Sequence, residues 1–146
     1  MKLFIINGPN INMLGIREPN IYGNDTYQNL LTLINKMAID NNIDISTYQS
    51  NIEGEIVNFI QAAYYQKADG IIINPAAYTH TSIAILDALK AANLPTVEVH
   101  ISDIAKREEF RKISYIRDYC FKTITGKGID GYRLAIEEMI KYLGSK

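Results

Sequence analysis

The feature that most constrains the fold of this chain is a regular alternation of short apolar runs with segments of helical spacing. Each run is four to six residues long, consists mainly of apolar or β-branched residues, and is bounded by turn residues, which is typical of strands. The predicted strands are Leu3–Ile6, Ile43–Tyr48, Gly70–Ile73, Thr96–Val99 and Phe121–Thr125. Strands that alternate with helices form a parallel sheet covered on both faces. The order of elements therefore predicts an α/β fold with a five-stranded parallel sheet.

Four helical patterns separate or follow these strands. The first runs from Tyr27 to Ala38 after a cap expected at Asp25, and the second covers Ile56–Ala63. The third covers Thr79–Asn93, and the last shows apolar residues at three-four spacing over Tyr132–Leu143.

The third predicted helix has almost no polar face. Eight of the ten residues from Ile83 to Ala92 are Ile, Leu or Ala, so we expect this helix to be buried all round. A sheet covers only one side of a helix, and the second apolar contact is most simply another subunit. Asp87, inside the apolar stretch, is then expected at or near that interface.

The composition argues against several classes of protein. A chain of 146 residues with 47% hydrophobic content fits a single domain spanning residues 1–146. Lys and Arg total 15 against 16 Asp and Glu, without a basic run, so no nucleic-acid partner is expected. No apolar stretch reaches the length of a membrane span or a signal peptide, and one cysteine cannot form an internal disulfide. We expect a cytoplasmic protein without a membrane partner.

The segment after the first predicted strand, NGPNINMLGIREPNIYG, is rich in turn-forming residues. Nine of its seventeen residues, Asn7–Gly23, are Gly, Pro or Asn, and we expect it to form neither helix nor strand. Such long loops in compact domains are usually functional lids or disordered. Because this loop holds one arginine, Arg17, and one tyrosine, Tyr22, both are candidates for chemistry.

Polar residues follow three of the predicted strands where each one ends. The first strand leads into Asn7–Asn10, the third into Asn74–His80, and the fourth into Glu98–Ser102, with Arg111 shortly after. In an open parallel sheet, ligands bind beyond the carboxyl ends of the strands, near the point where the strand order reverses. Both histidines of the chain fall at this edge, where we therefore predict a ligand site.

Four further features carry less weight. Gly126–Gly131 spell GxGxxG before a helix, but the fifteen residues that follow are too few for a dinucleotide-binding unit, and tight packing of the helix on the sheet is the simpler interpretation. A phosphorelay receiver needs carboxylates where this chain has Asn10 and Asn74. Neither histidine has a third strong ligand nearby, so no metal site is predicted. Cys120 has no evident partner and is expected to begin or precede a buried strand.

Five motifs, in order along the chain, resemble those of type II 3-dehydroquinate dehydratase, which removes water from 3-dehydroquinate to give 3-dehydroshikimate. They are INGPNINMLGIREPNIYG, SNIEGEI, IINPAAYTHTSIAILDA, VEVHISDIAKREEFRKISY and GKGIDGYRLAI, and the likeness covers essentially the whole chain. The resemblance implies a flavodoxin-like three-layer sandwich that assembles as a homododecamer, a tetramer of trimers. It also implies an anti elimination through an enolate in the shikimate pathway to chorismate, without metal or organic cofactor.

The resemblance implies roles for individual residues. Tyr22 would take a proton from C2 of the substrate, and Arg17 would activate it. Asn10, with a bound water, would stabilise the enolate, and His100, oriented by Glu98, would protonate the departing C1 hydroxyl. The implied substrate-binding residues are Asn74 and the backbone of Ile101 and Ser102 for the carboxylate, His80 and Arg111 for ring hydroxyls, and Asp87 from an adjacent subunit.

The chain departs from the family pattern in three places. Ile113 replaces a polar residue that is common before Ser-Tyr, and Arg117–Lys122 is bulkier and more charged than the strand usual there. Ala76 and Ala77 stand where at least one glycine is common. We expect these differences to affect local packing and assembly and to leave the catalytic set whole.

The implied base needs help from its surroundings. A phenol with an ordinary pKa near 10 is ionised about once per thousand molecules at pH 7, a deficit of roughly 4 kcal/mol. A positive charge at about 4 Å supplies roughly 1 kcal/mol in water and about 4 kcal/mol at an effective dielectric constant of 20. Arg17 therefore suffices only if the loop closes and excludes solvent, with its Gly, Pro and Asn residues as joints.

Two alternatives remain open from the sequence. One is a flavodoxin-like module that binds a nucleotide or flavin without chemistry of its own. The other keeps the dehydration but assigns it to quinate breakdown.

Overall fold

The sheet consists of five parallel strands in the order β2-β1-β3-β4-β5, in a computed structural model that describes residues 1–146. The strands are β1 (Lys2–Asn7), β2 (Asp44–Gln49), β3 (Gly70–Asn74), β4 (Thr96–Val99) and β5 (Lys122–Ile124). All five predicted strands are confirmed, and their ends agree to within one residue. This strand order is that of the flavodoxin-like folds.

Helices cover both faces of the sheet. They are α1 (Pro19–Tyr22), α2 (Tyr27–Asn41), α3 (Glu53–Tyr65), α4 (Ile83–Ala92) and α5 (Asp130–Gly144). Helices α2 and α5 pack on one face, and α3 and α4 pack on the other, which gives the three layers of the predicted sandwich. No helix has both the length and the apolar character that crossing a bilayer requires.

Strand β1 supplies alternate residues to two separate cores. Leu3 and Ile5 pack with α2 and α5, whereas Phe4 and Ile6 pack with α3 and α4. All four side chains are fully buried, as expected for a central strand of a covered parallel sheet. The strand order reverses between β1 and β3, so the carboxyl ends of these two strands flank the crevice where such folds bind ligands.

The loop after β1 contains more regular structure than the sequence suggested. Ile11–Met13 forms a 3₁₀ turn and Pro19–Tyr22 forms the single-turn helix α1, so the prediction of a loop without helix is wrong. A proline at the first position of a helix has the φ angle that the helix needs, which explains this turn.

Two helices begin at residues other than those predicted. The cap of α2 is Thr26 and not Asp25, because the Thr26 hydroxyl accepts a hydrogen bond of 3.1 Å from the helix N–H three residues on. Helix α4 does not begin at Thr79, which lies in a 3₁₀ turn over Ala76–His80. It begins after Ser82, whose hydroxyl caps the helix in the same way at 3.0 Å.

In the single chain, helix α4 is covered on one side only, and the expected second contact with another subunit stays a prediction. Ile85 and Leu89 are fully buried on the side that faces the core, whereas Ile83 is 55% exposed. Asp87 also lies on the exposed side. The rest of the fold covers only one side of this helix and leaves an apolar surface around Ile83.

Candidate active site

A cleft of about 520 Å³, partly open to solvent, lies at the carboxyl edge of the sheet. Nine of the eleven site residues predicted from the sequence line it: Asn10, Arg17, Tyr22, Asn74, His80, His100, Ile101, Ser102 and Arg111. Glu98 lies behind His100 and is fully buried. Asp87 does not line the cleft and is exposed on α4.

Two turns meet where β1 and β3 end. The N–H of Gly8 donates to the carbonyl oxygen of Asn74 at 2.8 Å, and a Cβ on Gly8 would lie 2.3 Å from the carbonyl oxygen of Pro75. Only glycine allows two backbones to approach this closely. Ala76, which follows Pro75 in the turn after β3, has a φ of 54°, a left-handed conformation that favours glycine.

Asn10 is presented to the cleft by a turn that the second motif supports. Its backbone has a φ of 68°, which asparagine tolerates better than most residues. The N–H of Asn10 donates to Oδ1 of Asn51 at 3.0 Å, and Nε2 of Gln49 donates to the same oxygen at 3.2 Å. The SNIEGEI motif therefore helps to fix the turn that carries Asn10.

Tyr22 contacts two arginine side chains. Nη1 of Arg107 donates a hydrogen bond of 2.7 Å to the Tyr22 hydroxyl oxygen. The guanidinium carbon of Arg17 lies 4.5 Å from the centre of the Tyr22 ring. The two arginine side chains are 13% and 32% exposed, so both charges are partly shielded from water. Two positive charges therefore face the Tyr22 side chain, one at its oxygen and one over its ring.

His100 and Glu98 form a buried pair at the end of β4. Nε2 of His100 lies 2.6 Å from Oε1 of Glu98, and their side chains are 4% and 0% exposed. A carboxylate only accepts hydrogen bonds, so Nε2 carries the proton and Nδ1 is left for a ligand. The Ser114 hydroxyl donates to the same carboxylate oxygen at 2.7 Å, and the Thr123 hydroxyl donates to the other at 3.3 Å.

The surroundings of Glu98 keep it ionised despite its burial. Burial disfavours the carboxylate, but the hydrogen bond and charge of His100, the Ser114 hydroxyl and the charge of Arg117 together lower the pKa of Glu98. Nη2 of Arg117 lies 3.7 Å from Oε1 of Glu98. Arg117 thus places a positive charge beside this buried carboxylate.

His80 and Arg111 stand on the 3₁₀ turns that border the cleft. Nδ1 of His80 donates to the carbonyl oxygen of Ile113 at 2.6 Å, which leaves Nε2 for a ligand. Burial, with the charges of His100 and Arg111, lowers the pKa of His80, although its hydrogen bond to Ile113 acts in the opposite direction. Nε of Arg111 donates to Glu108 at 2.6 Å, which orients its guanidinium.

The backbone after β4 offers donors to the cleft. The carbonyl oxygens of Ile101 and Ser102 accept hydrogen bonds of 3.1 Å from Gly128 and Gly126, whereas the N–H groups of Ile101 and Ser102 make none within the chain. Both residues are buried. Two adjacent unpaired N–H groups in a cleft suit an anionic group such as a carboxylate.

Reasoning from the sequence missed Arg107, Ser114 and Tyr132. All three residues lie inside quoted motifs, and Arg107 stands four residues before Arg111 in the same motif. What they touch is set by tertiary packing: Tyr22 for Arg107, Glu98 for Ser114, and Asn74 for Tyr132. No cluster of three or more His, Cys, Asp or Glu side chains is placed to hold a metal ion.

Comparisons with known proteins agree with this architecture. A model of the family described as dehydroquinase class II matches residues 1–140. A curated 3-dehydroquinate dehydratase of Fusobacterium nucleatum is 56% identical over 144 residues, which cover 97% of this chain and 98% of that protein. A 3-dehydroquinate dehydratase of Clostridium perfringens is 52% identical over 146 residues and covers 100% of both chains.

Two solved structures of type II dehydroquinases are similar to this chain over nearly its whole length. A type II dehydroquinase from Butyrivibrio crossotus superposes with a TM-score of 0.94 at 50% identity and covers 96% of this chain and 97% of that one. Another, from Propionibacterium acnes, gives 0.89 at 37% identity and covers 99% and 97%. Fold and site thus define an α/β enzyme of the flavodoxin-like class, with two histidines and three arginines in the cleft at the carboxyl edge of its sheet. More particularly, the chain belongs to the class II dehydroquinases, the type II 3-dehydroquinate dehydratases, and is a hydro-lyase.

Proposed function

We propose that this enzyme catalyses the anti elimination of water from 3-dehydroquinate through an enolate, and gives 3-dehydroshikimate. The observation that carries the mechanism is a tyrosine hydroxyl held by an arginine in the same cleft as a buried histidine–glutamate pair. The first group suits removal of a proton from carbon, and the second suits protonation of a poor leaving group.

In the first step, the Tyr22 phenolate removes a proton from C2, beside the ketone of the substrate. Arg107 donates a hydrogen bond to the Tyr22 oxygen and Arg17 lies over its ring, so both positive charges face the negative charge on this group. The resulting enolate is an oxyanion, and preorganised donors stabilise such a charge. Asn10, which lines the same cleft, supplies its side-chain amide for this purpose, through a bound water.

In the second step, His100 gives a proton to the C1 hydroxyl as it leaves. Glu98 holds the imidazole through Nε2, so that Nδ1 is the nitrogen that faces the leaving group. An anti elimination requires the base and the acid on opposite faces of the ring. The two groups reach the cleft from different elements, since Tyr22 lies on α1 and His100 follows β4.

The rest of the cleft binds the substrate. The unpaired N–H groups of Ile101 and Ser102, with the Asn74 amide, hold the carboxylate. The free Nε2 of His80 and the guanidinium of Arg111 bind ring hydroxyls. No step in this account needs a metal or an organic cofactor, and activity is expected to survive dialysis against a chelator.

We also infer that the enzyme assembles as a homododecamer, a tetramer of trimers, with Asp87 reaching the active site of an adjacent subunit. The exposed side of α4, where Asp87 lies beside the 55% exposed Ile83, supports this arrangement. Light scattering should give the mass of twelve chains. The mass of a single chain would contradict the inference.

The proposal includes a cytoplasmic role in the shikimate pathway, towards chorismate and the aromatic amino acids. Quinate breakdown uses the same dehydration, and growth phenotypes of a deletion strain distinguish the two routes. A deletion strain that requires aromatic amino acids supports biosynthesis. The other alternative is a module that only binds a nucleotide or flavin. The family that matches this chain is a family of enzymes and gives that alternative no support.

An absorbance assay tests the proposed reaction directly. The product is a conjugated enone that absorbs ultraviolet light, and the purified chain is expected to form it from 3-dehydroquinate. The His100→Asn variant should lose turnover by about 10²-fold or more, because a positioned general acid contributes that much. A purified parent chain that forms no enone would overturn the proposal, and a bound yellow chromophore would favour the flavin-binding alternative.

A further inference from the structure

A buried hydrogen-bonded chain joins the ends of β1 and β3 to helix α5. Nδ2 of Asn74 donates to the Tyr132 hydroxyl oxygen at 2.9 Å, and that hydroxyl donates to Oδ1 of Asn7 at 2.7 Å. Tyr132 and Asn7 are fully buried, and Asn74 is 3% exposed and lines the cleft. The mechanism described above does not use Tyr132.

These bonds determine which way the Asn74 amide faces. Its Oδ1 accepts from the N–H of Ala76 at 3.1 Å, and one proton of its Nδ2 goes to Tyr132. A reversed amide would set Nδ2 against the Ala76 N–H and would require the Tyr132 proton to leave Asn7. The remaining Nδ2 proton is therefore the group that Asn74 can offer to a ligand, and it can bind only an acceptor.

Tyr132 stays a neutral phenol throughout the physiological range. Burial raises the pKa of Tyr132, and this effect exceeds the opposing effect of its hydrogen bond with Asn74. A neutral hydroxyl accepts one hydrogen bond and donates another, which is the pattern seen between Asn74 and Asn7.

The GxGxxG segment brings Tyr132 to this position. Gly131 packs against β4, and a Cβ there would lie 3.3 Å from Cγ2 of Val99, so glycine lets α5 approach the sheet closely. In the same segment, Gly126 and Gly128 donate to the carbonyl oxygens of Ser102 and Ile101 at 3.1 Å. One motif therefore supports all three groups assigned to the substrate carboxylate.

We propose that Tyr132 is a positioning residue that holds the Asn74 amide with a donor towards the carboxylate of the substrate. The inference rests on the proposed function, in which Asn74 binds that carboxylate. It assigns the glycine-rich segment a role in substrate recognition through hydrogen bonds within the chain. Loss of the Tyr132 hydroxyl then weakens substrate binding and spares the chemical steps.

The test is a double-mutant cycle on the full-length enzyme, with KM and kcat measured for 3-dehydroquinate. Tyr132→Phe should raise KM about tenfold and keep kcat within about twofold, since a lost hydrogen bond to a bound ligand has roughly this effect. Asn74→Ala should raise KM by as much or more. In the Asn74→Ala background, Tyr132→Phe should add less than about twofold, because its effect passes through Asn74.

A matched control separates this role from general destabilisation. The Tyr119 hydroxyl donates to the carbonyl oxygen of Leu94 at 2.9 Å, and neither residue lines the cleft. Tyr119→Phe also loses one hydrogen bond but should leave KM unchanged. If Tyr132→Phe does not fold, Asn7→Ala removes the acceptor of the Tyr132 proton and should raise KM about threefold, again only when Asn74 is present.

Three results would overturn the inference. An unchanged KM for Tyr132→Phe would show that Asn74 keeps its orientation alone. An equal rise in KM with and without Asn74 would show that Tyr132 acts by another route. An unchanged KM for Asn74→Ala would remove the carboxylate role on which the inference rests, while loss of turnover in His100→Asn would still support the proposed reaction.

Discussion

Nη1 of Arg107 donates a hydrogen bond of 2.7 Å to the hydroxyl oxygen of Tyr22, a residue 85 positions earlier in the chain. The sequence pointed to Arg17 as the cation that activates this tyrosine. Arg17 does lie 4.5 Å from the Tyr22 ring centre, but its contact is with the ring and not with the oxygen. The charge on the phenolate oxygen would therefore be met first by Arg107, with Arg17 as a second cation nearby.

Replacing Arg107 should slow the first chemical step. Arg107 donates to the oxygen that acts as the base, so its charge faces the negative charge on that oxygen. Arg107→Met should lower kcat/KM at pH 7 by about 10- to 100-fold, the scale of a charge-assisted hydrogen bond. Steady-state absorbance of the enone measures this loss.

The control for this prediction is the neighbouring residue. The Lys106 side chain is 83% exposed, and Lys106→Met makes the same change in charge without touching the site. It should leave kcat/KM within about twofold of the parent, since exposed charges are screened by solvent. A parental kcat/KM in Arg107→Met would show that this arginine does not assist the base.

The ionised state of Glu98 should contribute stability that acid removes. The pKa of this carboxyl is lowered in the folded enzyme, so the unfolded chain binds the proton more tightly. Its contribution is present above the ordinary glutamate value of about 4.3 and is lost as pH falls through the lower folded value. Urea unfolding from pH 7 to pH 3 should show a smaller loss of unfolding free energy in Glu98→Gln than in the parent. Glu109→Gln, at an 87% exposed side chain, serves as the control and should retain the parental pH dependence.

The left-handed backbone at Ala76 predicts an unusual gain from glycine. At a φ of 54°, an alanine costs about 1 kcal/mol that glycine does not, so Ala76→Gly should match or exceed the parent in unfolding free energy. Ala77 is not among the residues with positive φ, and Ala77→Gly should lower the unfolding free energy by about 0.5–1 kcal/mol. Chemical denaturation compares the two. A clear loss in Ala76→Gly would mean that this backbone is not strained.

Substitution of Gly8, with Gly54 as the control, tests the close approach of the turns that follow β1 and β3. A Cβ on Gly8 would lie 2.3 Å from the backbone oxygen of Pro75, and backbone atoms cannot yield as a side chain can. Gly8→Ala should therefore destabilise the enzyme by about 3 kcal/mol or more, in the range of severe core substitutions. Gly54→Ala in α3 meets nothing within 4 Å and should stabilise by about 0.5–1 kcal/mol. Equal melting midpoints for the two variants would contradict the clash.

The sequence predicted the sheet and the location of the site because both follow from local patterns. Buried strands such as Gly70–Asn74 are continuous apolar runs, and parallel topology brings their carboxyl ends to one edge. The contacts of Arg107 with Tyr22 and of Tyr132 with Asn74 join residues 85 and 58 positions apart, and no local pattern encodes them.

The errors in the sequence-based predictions have local causes. Helix α1 arose in a segment of turn formers because Pro19 suits a first helical position, and Gly23 at a φ of 82° ends it one residue after Tyr22. Asp25 and Thr26 are adjacent and both are good cap residues, so the sequence alone did not show that Thr26 caps α2.

The central claim is that Tyr22 is the base, and turnover of the Tyr22→Phe variant tests it most directly. Formation of the enone from 3-dehydroquinate is followed by absorbance, and substrate binding by calorimetry, with Tyr65→Phe at a 77% exposed position as the control. The account predicts a loss of turnover of about 10³-fold or more with substrate still bound, and parental turnover in the control. Turnover of Tyr22→Phe within about tenfold of the parent would contradict it, because a phenylalanine carries no group that can take the proton.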